Sequence, residues 1–157
     1  MRKQVIDQEA RGEPAEDQDW LDLESLVQVE LTSEDAEHPI ESALAMPAGS
    51  GWRARHAGKQ TIRLRFDEPR RIRRIHLVFD ENGRARTQEF LLRWSPDDRE
   101  SWQEIVRQQY NFSPPGVARE VEDYVVDLDG LRLLELSIIP DISGGDACAS
   151  LARLRLA

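Results

Sequence analysis

Apolar and polar residues alternate in two runs of the chain between positions 59 and 79. A period of two places the apolar side chains of each run on one face of a β-strand. The two sets are Ile62, Leu64 and Phe66, then Ile75, Leu77 and Phe79. Two strands cannot bury such faces alone, so the rest of the chain must supply further strands for a common core.

The segment between the two runs predicts how they are connected. Asp67–Arg70 is predicted as a turn, because Pro69 lacks a backbone donor at a point where a strand must stop. Ile72 is out of phase with the second run. We therefore expect a bend or bulge near Arg73 and Arg74.

Similar patterns predict further strands at residues 26–31, 88–94, 102–106, 123–128, 131–139 and 151–156. Residues 95–101 and Asp129–Gly130 are predicted as short turns. No helical periodicity of useful length is present, although Pro39–Leu44 fits one helical turn. About eight short strands separated by turns predict an all-β fold, an eight-stranded antiparallel sandwich or jelly roll.

The connections of such a sandwich fall into two groups. If consecutive strands run in opposite directions, alternate connections lie at the same end. One end then carries the short turns, and the other carries the long connections, at residues 32–58, 80–87, 107–122 and 140–148. Loops held together by a rigid scaffold often carry binding groups, so we expect the binding site at the long-loop end.

Negative charge is concentrated at the front of the chain, which has a formal net charge of −9 over 157 residues. Residues 1–41 contain 3 Lys/Arg and 13 Asp/Glu, whereas residues 42–157 contain 18 and 17. Residues 1–22 therefore read as an acidic tail, disordered or loosely docked, before a domain at residues 23–157. Because the chain has no basic excess, nucleic acid is not an expected partner.

Cellular location is predicted from the single cysteine and from the start of the chain. Cys148 cannot form an internal disulfide, which favours a cytoplasmic protein. The sequence shows no signal peptide and no apolar run long enough to span a bilayer, so no membrane partner is expected.

Aromatic, guanidinium and amide side chains are concentrated at the predicted long-loop end. A sugar needs an aromatic platform and fixed donors and acceptors, whereas a carboxylate or phosphate needs arginines. The candidate ligand-binding residues are Trp52, Arg53, Arg55, His56, Arg84, Arg86, Gln88, Arg107, Tyr110, Asn111 and Phe112.

Several of these residues also have purely structural interpretations. Trp52 and Phe112 are residue types found more often as core side chains beneath long loops than as ligand platforms. Arg86 and Arg107 fit surface ion pairs with Glu89 or Glu120. Asn111 fits a turn residue that binds its own backbone.

Short sequence blocks resemble the discoidin domain, also called the coagulation-factor type C domain, one of the galactose-binding-like jelly rolls. They are Thr32-Ser33-Glu34 with Pro39–Leu44, Gly51–Ala54, Ile62–Phe66 with Pro69 and Ile72–Ile75, Ser95–Asp98 with Ser101-Trp102, and Ala149–Leu154. The resemblance covers about residues 24–157. It implies an eight-stranded sandwich whose loops bind glycans, lipid headgroups or proteins.

Two features depart from that family. Family members often have an acidic residue near a calcium-binding turn, but Ala43-Leu44 is followed here by Ala45-Met46-Pro47. This argues against calcium, and we expect no cofactor and no metal site. The extracellular members usually carry a disulfide, which this chain cannot form.

These observations favour a non-catalytic module that binds a carbohydrate or related polar small molecule. The alternative is a cytoplasmic protein–protein adaptor that uses the same loops or a sheet face. An enzyme is not expected, because the chain has only three histidines and lacks nucleophile-elbow, paired-histidine and phosphate-loop motifs.

Overall fold

A computed structural model describes residues 19–47, 49–81 and 83–157. The helices are α1 (Leu23–Leu26) and α2 (Glu41–Leu44), and α2 confirms the predicted helical turn. The strands are β1 (Val27–Leu31), β2 (Trp52–Ala57), β3 (Gln60–Asp80), β4 (Arg86–Ser95), β5 (Gln103–Phe112), β6 (Arg119–Ile139), β7 (Cys148–Leu151) and β8 (Arg153–Leu156). Within the described ranges, no helix is long and apolar enough to cross a membrane.

The long strands β3 and β6 form one antiparallel ribbon. They pair from Gln60 opposite Ile138 to Asp80 opposite Arg119. Both ends of β3 lie close to β7 and the residue before it, because Gly58 N–H, just before β3, donates to Ala147 O, and the Ser150 hydroxyl donates to Asp80 O at the end of β3. The ribbon therefore folds over on itself, and its two halves belong to opposite layers of a sandwich.

The predicted turns at Asp67–Arg70 and Asp129–Gly130 are wrong as strand ends, since β3 and β6 run through them. Pro69 lies where the register shifts between Arg65 and Arg70, so its missing N–H removes no paired position of the ladder. Gly130 has a φ of +76°, which lets the partner strand bend there. The bend expected near Arg73 is confirmed by a register shift between Ile72 and Arg74.

The first layer contains β1, the first half of β3, the second half of β6, β4 and β5 in that order. The second layer contains the first half of β6, the second half of β3, and β8. A separate two-stranded sheet joins β2 and β7. The predicted all-β antiparallel sandwich is confirmed, although β2 is an additional strand, and the predicted last strand is divided into β7 and β8.

The alternating apolar residues of β3 face the core from both layers, as predicted. Ile62, Leu64, Phe66, Ile75, Leu77 and Phe79 are all at most 1% exposed. The rings of Phe79 and Phe90 lie 5.2 Å apart and join the second half of β3 to β4. Burial of each such side chain stabilises the fold by roughly 1.5–3 kcal/mol, so these alternating positions hold the layers together.

The strand registers place the long connections at one end. Leu133 lies opposite both Arg65 and Ser95, so the segments after Phe66 and Ser95 share one end with the Gly130 bend. At the other end, Glu81 N–H donates to Ala118 O, and Ile142 N–H donates to Thr87 O. The long loops gather at one end as predicted, but the predicted 107–122 loop is shorter, because residues 107–112 belong to β5 and residues 119–122 belong to β6.

The end of the predicted acidic tail contacts the sandwich. Leu21 N–H donates to Leu156 O at 2.8 Å, and the Trp20 ring lies 5.9 Å from the His76 ring. Residues 1–18 of that tail lie outside the described residues. The division at residue 22 stays a prediction.

Candidate functional site

Two adjoining clefts open at the long-loop end, and Arg53 lines both. The histidine cleft, of about 200 Å³, is lined by His38, Ser50, Trp52, Arg53, Asp80 and residues 150–152. The arginine cleft, of about 240 Å³, is lined by Arg53, Glu81, Gly83, Arg84, Arg86 and residues 146–148. Each is smaller than the roughly 300 Å³ at which typical ligand pockets begin, so a larger ligand must span both.

Arg53 is held in place by its backbone. Its N–H donates to His38 O at 3.1 Å, and its carbonyl accepts from Asp35 N–H at 2.9 Å. In β2 it lies opposite Ser150 of β7. The main chain of Arg53 is therefore fixed on both sides. Its exposed side chain extends from a rigid strand rather than from a free loop.

The histidine cleft presents an oriented imidazole. His38 Nδ1 lies 3.1 Å from Asp35 Oδ2, and the His38 side chain is 34% exposed. The hydrogen bond with His38 holds the pKa of the Asp35 carboxyl below its ordinary value. With Nδ1 engaged in this way, Nε2 is the ring nitrogen left to contact a ligand.

Asp80 and Ser150 complete the polar lining of the histidine cleft. Both carboxylate oxygens of Asp80 accept hydrogen bonds from Arg119, at 2.8 and 3.3 Å. The Ser150 hydroxyl donates to Asp80 O at 3.1 Å, so its oxygen remains able to accept. This cleft therefore offers donors and acceptors at fixed positions.

Besides Arg53, the arginine cleft contains the exposed Arg84 and the buried Arg86. Arg84 Nη1 donates to Asp146 Oδ1 at 2.5 Å, and this hydrogen bond lowers the pKa of Asp146. The Arg86 side chain is only 1% exposed. It donates to Pro140 O and to Glu81 Oε2, and its guanidinium lies 4.9 Å from the centre of the Phe112 ring.

A buried polar chain continues from Arg86 into the sandwich. Arg86 Nη1 donates to Gln88 Oε1 at 3.4 Å, and Gln88 Nε2 donates to Glu120 Oε1 at 3.2 Å. Burial, together with the neighbouring Glu122 carboxyl, raises the pKa of Glu120 to about 9. The Glu120 carboxyl is thus held in its neutral form within the interior.

The aromatic platform expected from the sequence does not form in this structure. Trp52 is 1% exposed, and its indole N–H donates to Ser33 O at 3.1 Å. It is therefore a core side chain packed beneath the loop. Phe112 is 2% exposed and packs against the half-buried Tyr110 ring. In both cases the structural interpretation describes the side chain correctly.

The remaining predicted residues divide by location. Arg53, Arg84 and Arg86 line the clefts, whereas Arg55 and His56 are exposed further along β2, and Gln88 is buried. The β5 residues lie outside both clefts. Of these, Arg107 pairs with Glu89 and Glu104, Tyr110 donates to Arg119 O, and Asn111 accepts from the Thr87 hydroxyl.

Sequence reasoning missed several cleft residues, namely His38, Ser50, Asp80, Glu81, Asp146 and Ser150. A usable signal was present, because the same strand-direction argument places the polar 140–148 connection beside the other long loops.

Metal ligands are sparse in the part of the chain that the structure describes. No group of three or more His, Cys, Asp or Glu side chains there is arranged to hold a metal ion. The lone Cys148 lines the arginine cleft and is half-buried.

Comparisons with known proteins give matches at the level of structure. No protein-family model matches the sequence, and a search of curated proteins finds no match. Among solved structures, the family 32 carbohydrate-binding module of NanJ from Clostridium perfringens, in complex with galactose, has a TM-score of 0.64 at 14% identity. The match covers 87% of this chain and 96% of that one.

The protein has the discoidin-like jelly-roll fold, which is also called galactose-binding-like.

Two further structures agree with this discoidin-like fold. The C-terminal domain of a chitobiase from Bacteroides fragilis has a TM-score of 0.62 at 16% identity, over 88% of this chain and 97% of that one. A pectin-binding carbohydrate-binding module has a TM-score of 0.59 at 15% identity, over 83% and 89%. At such low identity these likenesses describe the fold, and the ligand must be argued from the site.

Proposed function

We propose that this discoidin-like domain is a non-catalytic module that binds a carbohydrate across the histidine and arginine clefts. The proposal rests mainly on the position of Arg53, which lines both clefts. Its exposed guanidinium joins two polar clefts whose other groups are already oriented by hydrogen bonds. Fixed donors and acceptors of this kind suit a ligand covered with hydroxyl groups.

The structural neighbours support the same class of ligand. The NanJ module is described in complex with galactose, and a Clostridium perfringens family 32 module in complex with GalNAc-β-1,3-galactose. The neighbours are mostly binding modules, which agrees with a non-catalytic role. The adaptor alternative receives no support from these modules. A cytoplasmic location is a separate proposal, and cell fractionation would test it.

A glycan array followed by titration calorimetry tests the proposal. Arg84→Ala removes a donor of the arginine cleft that is 52% exposed, so folding is expected to be retained. We expect weaker binding of whichever glycan the wild-type protein selects. Arg107→Ala is the matched control, because its side chain is also 52% exposed and ion-paired but lies outside the clefts.

Two results would reject the proposal. One is the absence of any glycan bound by the folded wild-type protein. The other is equal loss of binding in Arg84→Ala and Arg107→Ala, since binding would then depend on general surface charge rather than on the clefts.

A further inference from the structure

Among the described residues, Arg53 differs from the other charged residues of the two clefts because its guanidinium forms no hydrogen bond or ion pair, and only the longer-range attraction of the Asp35 carboxylate acts on it. Arg84 pairs with Asp146, Arg86 with Glu81, and Asp80 with Arg119. His38 is bound to Asp35. Among the described residues, no hydrogen bond or ion pair engages the Arg53 side chain, although its backbone is fixed on both sides. Its guanidinium N–H groups are therefore available to donate to a ligand.

The clefts also lack an exposed Trp, Tyr or Phe ring among their described lining residues. Trp52 lines the histidine cleft but is 1% exposed. The apolar face of a sugar therefore has no indole or phenyl platform there, and polar contacts must supply more of the affinity. Hydrogen bonds to charged groups contribute more to affinity than hydrogen bonds between neutral groups. A ligand that places an anionic group opposite Arg53 therefore gains the most binding free energy.

We infer that the ligand is a sugar acid whose carboxylate binds the Arg53 guanidinium. This inference rests on the proposed function and names the class of carbohydrate. The planar fork of an arginine side chain matches the two oxygens of a carboxylate in a bidentate arrangement. The sugar ring extends from Arg53 into the histidine cleft on one side and the arginine cleft on the other, where its hydroxyls meet His38, Ser150 and Arg84.

The neighbouring Arg55 provides a matched control within the same strand. It lies two residues further along β2, is exposed, and lines neither cleft. Arg55→Gln and Arg53→Gln remove the same charge from the same short strand. A general attraction between a basic surface and an acidic sugar would weaken equally in both variants, whereas a site at Arg53 would not.

The test compares trisaccharides of galacturonate, mannuronate and glucuronate with their methyl esters by titration calorimetry. The ester keeps the ring and the hydroxyls but removes the negative charge. We expect wild-type protein to bind at least one acid about 10-fold more tightly than its ester, the difference between a charged and a neutral hydrogen bond. Arg53→Gln abolishes this preference, Arg53→Lys restores part of it, and Arg55→Gln leaves it unchanged.

The outcomes separate this inference from the proposed function. If wild-type protein binds acid and ester equally, or binds neutral glycans and no uronate, the sugar-acid assignment is overturned while carbohydrate binding stands. A sulfated glycan without a carboxylate that binds as tightly as the uronate also overturns it, as does equal loss in Arg53→Gln and Arg55→Gln. If no glycan of any kind binds, both proposals fall.

Discussion

Gln88 and Glu120 are joined across the interior of the sandwich, with Gln88 Nε2 donating to Glu120 Oε1 at 3.2 Å. Both residues are 1% exposed. The other oxygen of Glu120 is buried without a hydrogen-bond partner within the described chain, and burial with the nearby Glu122 carboxyl raises its pKa to about 9. A neutral carboxyl in this position makes the fold sensitive to pH.

Stability is predicted to decrease as pH rises towards 9. The folded protein retains a proton on Glu120 that the unfolded chain releases near its ordinary pKa of 4.5. The stabilisation is therefore complete below about pH 4.5 and is lost as pH rises through about 9. The limiting slope is about 1.4 kcal/mol per pH unit in the free energy of unfolding.

Glu120→Gln tests this dependence because an amide imitates the neutral carboxyl. Urea unfolding at several pH values should show the variant gaining stability relative to wild type as pH rises from 5 to about 9. Glu104→Gln, on an exposed side chain, should show no such trend. A constant difference between Glu120→Gln and wild type across that range would mean that Glu120 is ionised in the folded protein.

Glu135 lies on the outer face of the first layer. Its ion pairs should contribute strongly to the stability of the fold. Burial alone would raise the pKa of Glu135, but hydrogen bonds from Arg93 and Arg63 outweigh it and lower the pKa. The carboxylate accepts from Arg93 Nε at 2.6 Å and from Arg63 Nε at 2.7 Å. Glu135→Ala leaves two partly solvated guanidiniums unpaired and should cost about 2–3 kcal/mol in urea unfolding.

The comparison for Glu135 is Glu104, whose side chain is 57% exposed and pairs weakly with Arg107. Glu104→Ala should cost between about 0 and 1 kcal/mol. Equal destabilisation by the two substitutions would show that the buried Glu135 pairings add nothing beyond an ordinary surface pair.

Trp52 is predicted to stabilise the fold rather than to stack on a ligand. Trp52→Ala should lower the free energy of unfolding by about 3–5 kcal/mol, because it empties a fully buried site. Trp52→Phe keeps a buried ring but loses the hydrogen bond to Ser33 O, at a cost of about 0.5–1.5 kcal/mol. Unfolding curves measure both values, and a Trp52→Ala protein as stable as wild type would contradict the core role.

Gly51, at the start of β2, is predicted to be intolerant of a side chain. Its φ is +86°, and an added Cβ would lie 2.9 Å from Leu151 O. Gly144 has a similar φ of +90°, but a Cβ added there would have no heavy atom within 4 Å. Both alanine substitutions carry a conformational cost of about 1–2 kcal/mol, and Gly51→Ala adds a backbone clash. Thermal unfolding should show the larger loss for Gly51→Ala, and equal losses would argue against the close approach.

Much of the sandwich could be predicted from the sequence because its strands are buried on one face. The period-two runs of β3 identify the core side chains directly, and the relative lengths of the connections identify the loop end. The two wrong turns have a common cause. A proline and an Asp-Gly pair are usual turn signals, but here they lie where a paired ribbon bends without ending.

The candidate site was predicted less well, because its composition depends on contacts between distant segments. Arg53 and Arg84 were identified from their position in long loops, whereas the partners that orient the site are remote in sequence, such as Asp146 for Arg84. The burial of an individual side chain could not be predicted from the sequence either. Nothing in the local pattern around Trp52 distinguishes a core plug from a stacking platform, and the hydrogen bond to Ser33 that decides it joins residues 19 positions apart.

The most direct test of carbohydrate binding at the shared clefts is an NMR titration of ¹⁵N-labelled protein with the tightest glycan from the array. We predict the largest amide shift changes at Arg53, Gly83, Arg84 and Asp146, with residues 103–112 of β5 nearly unchanged. Changes confined to β5, or no change with any glycan, would contradict the account.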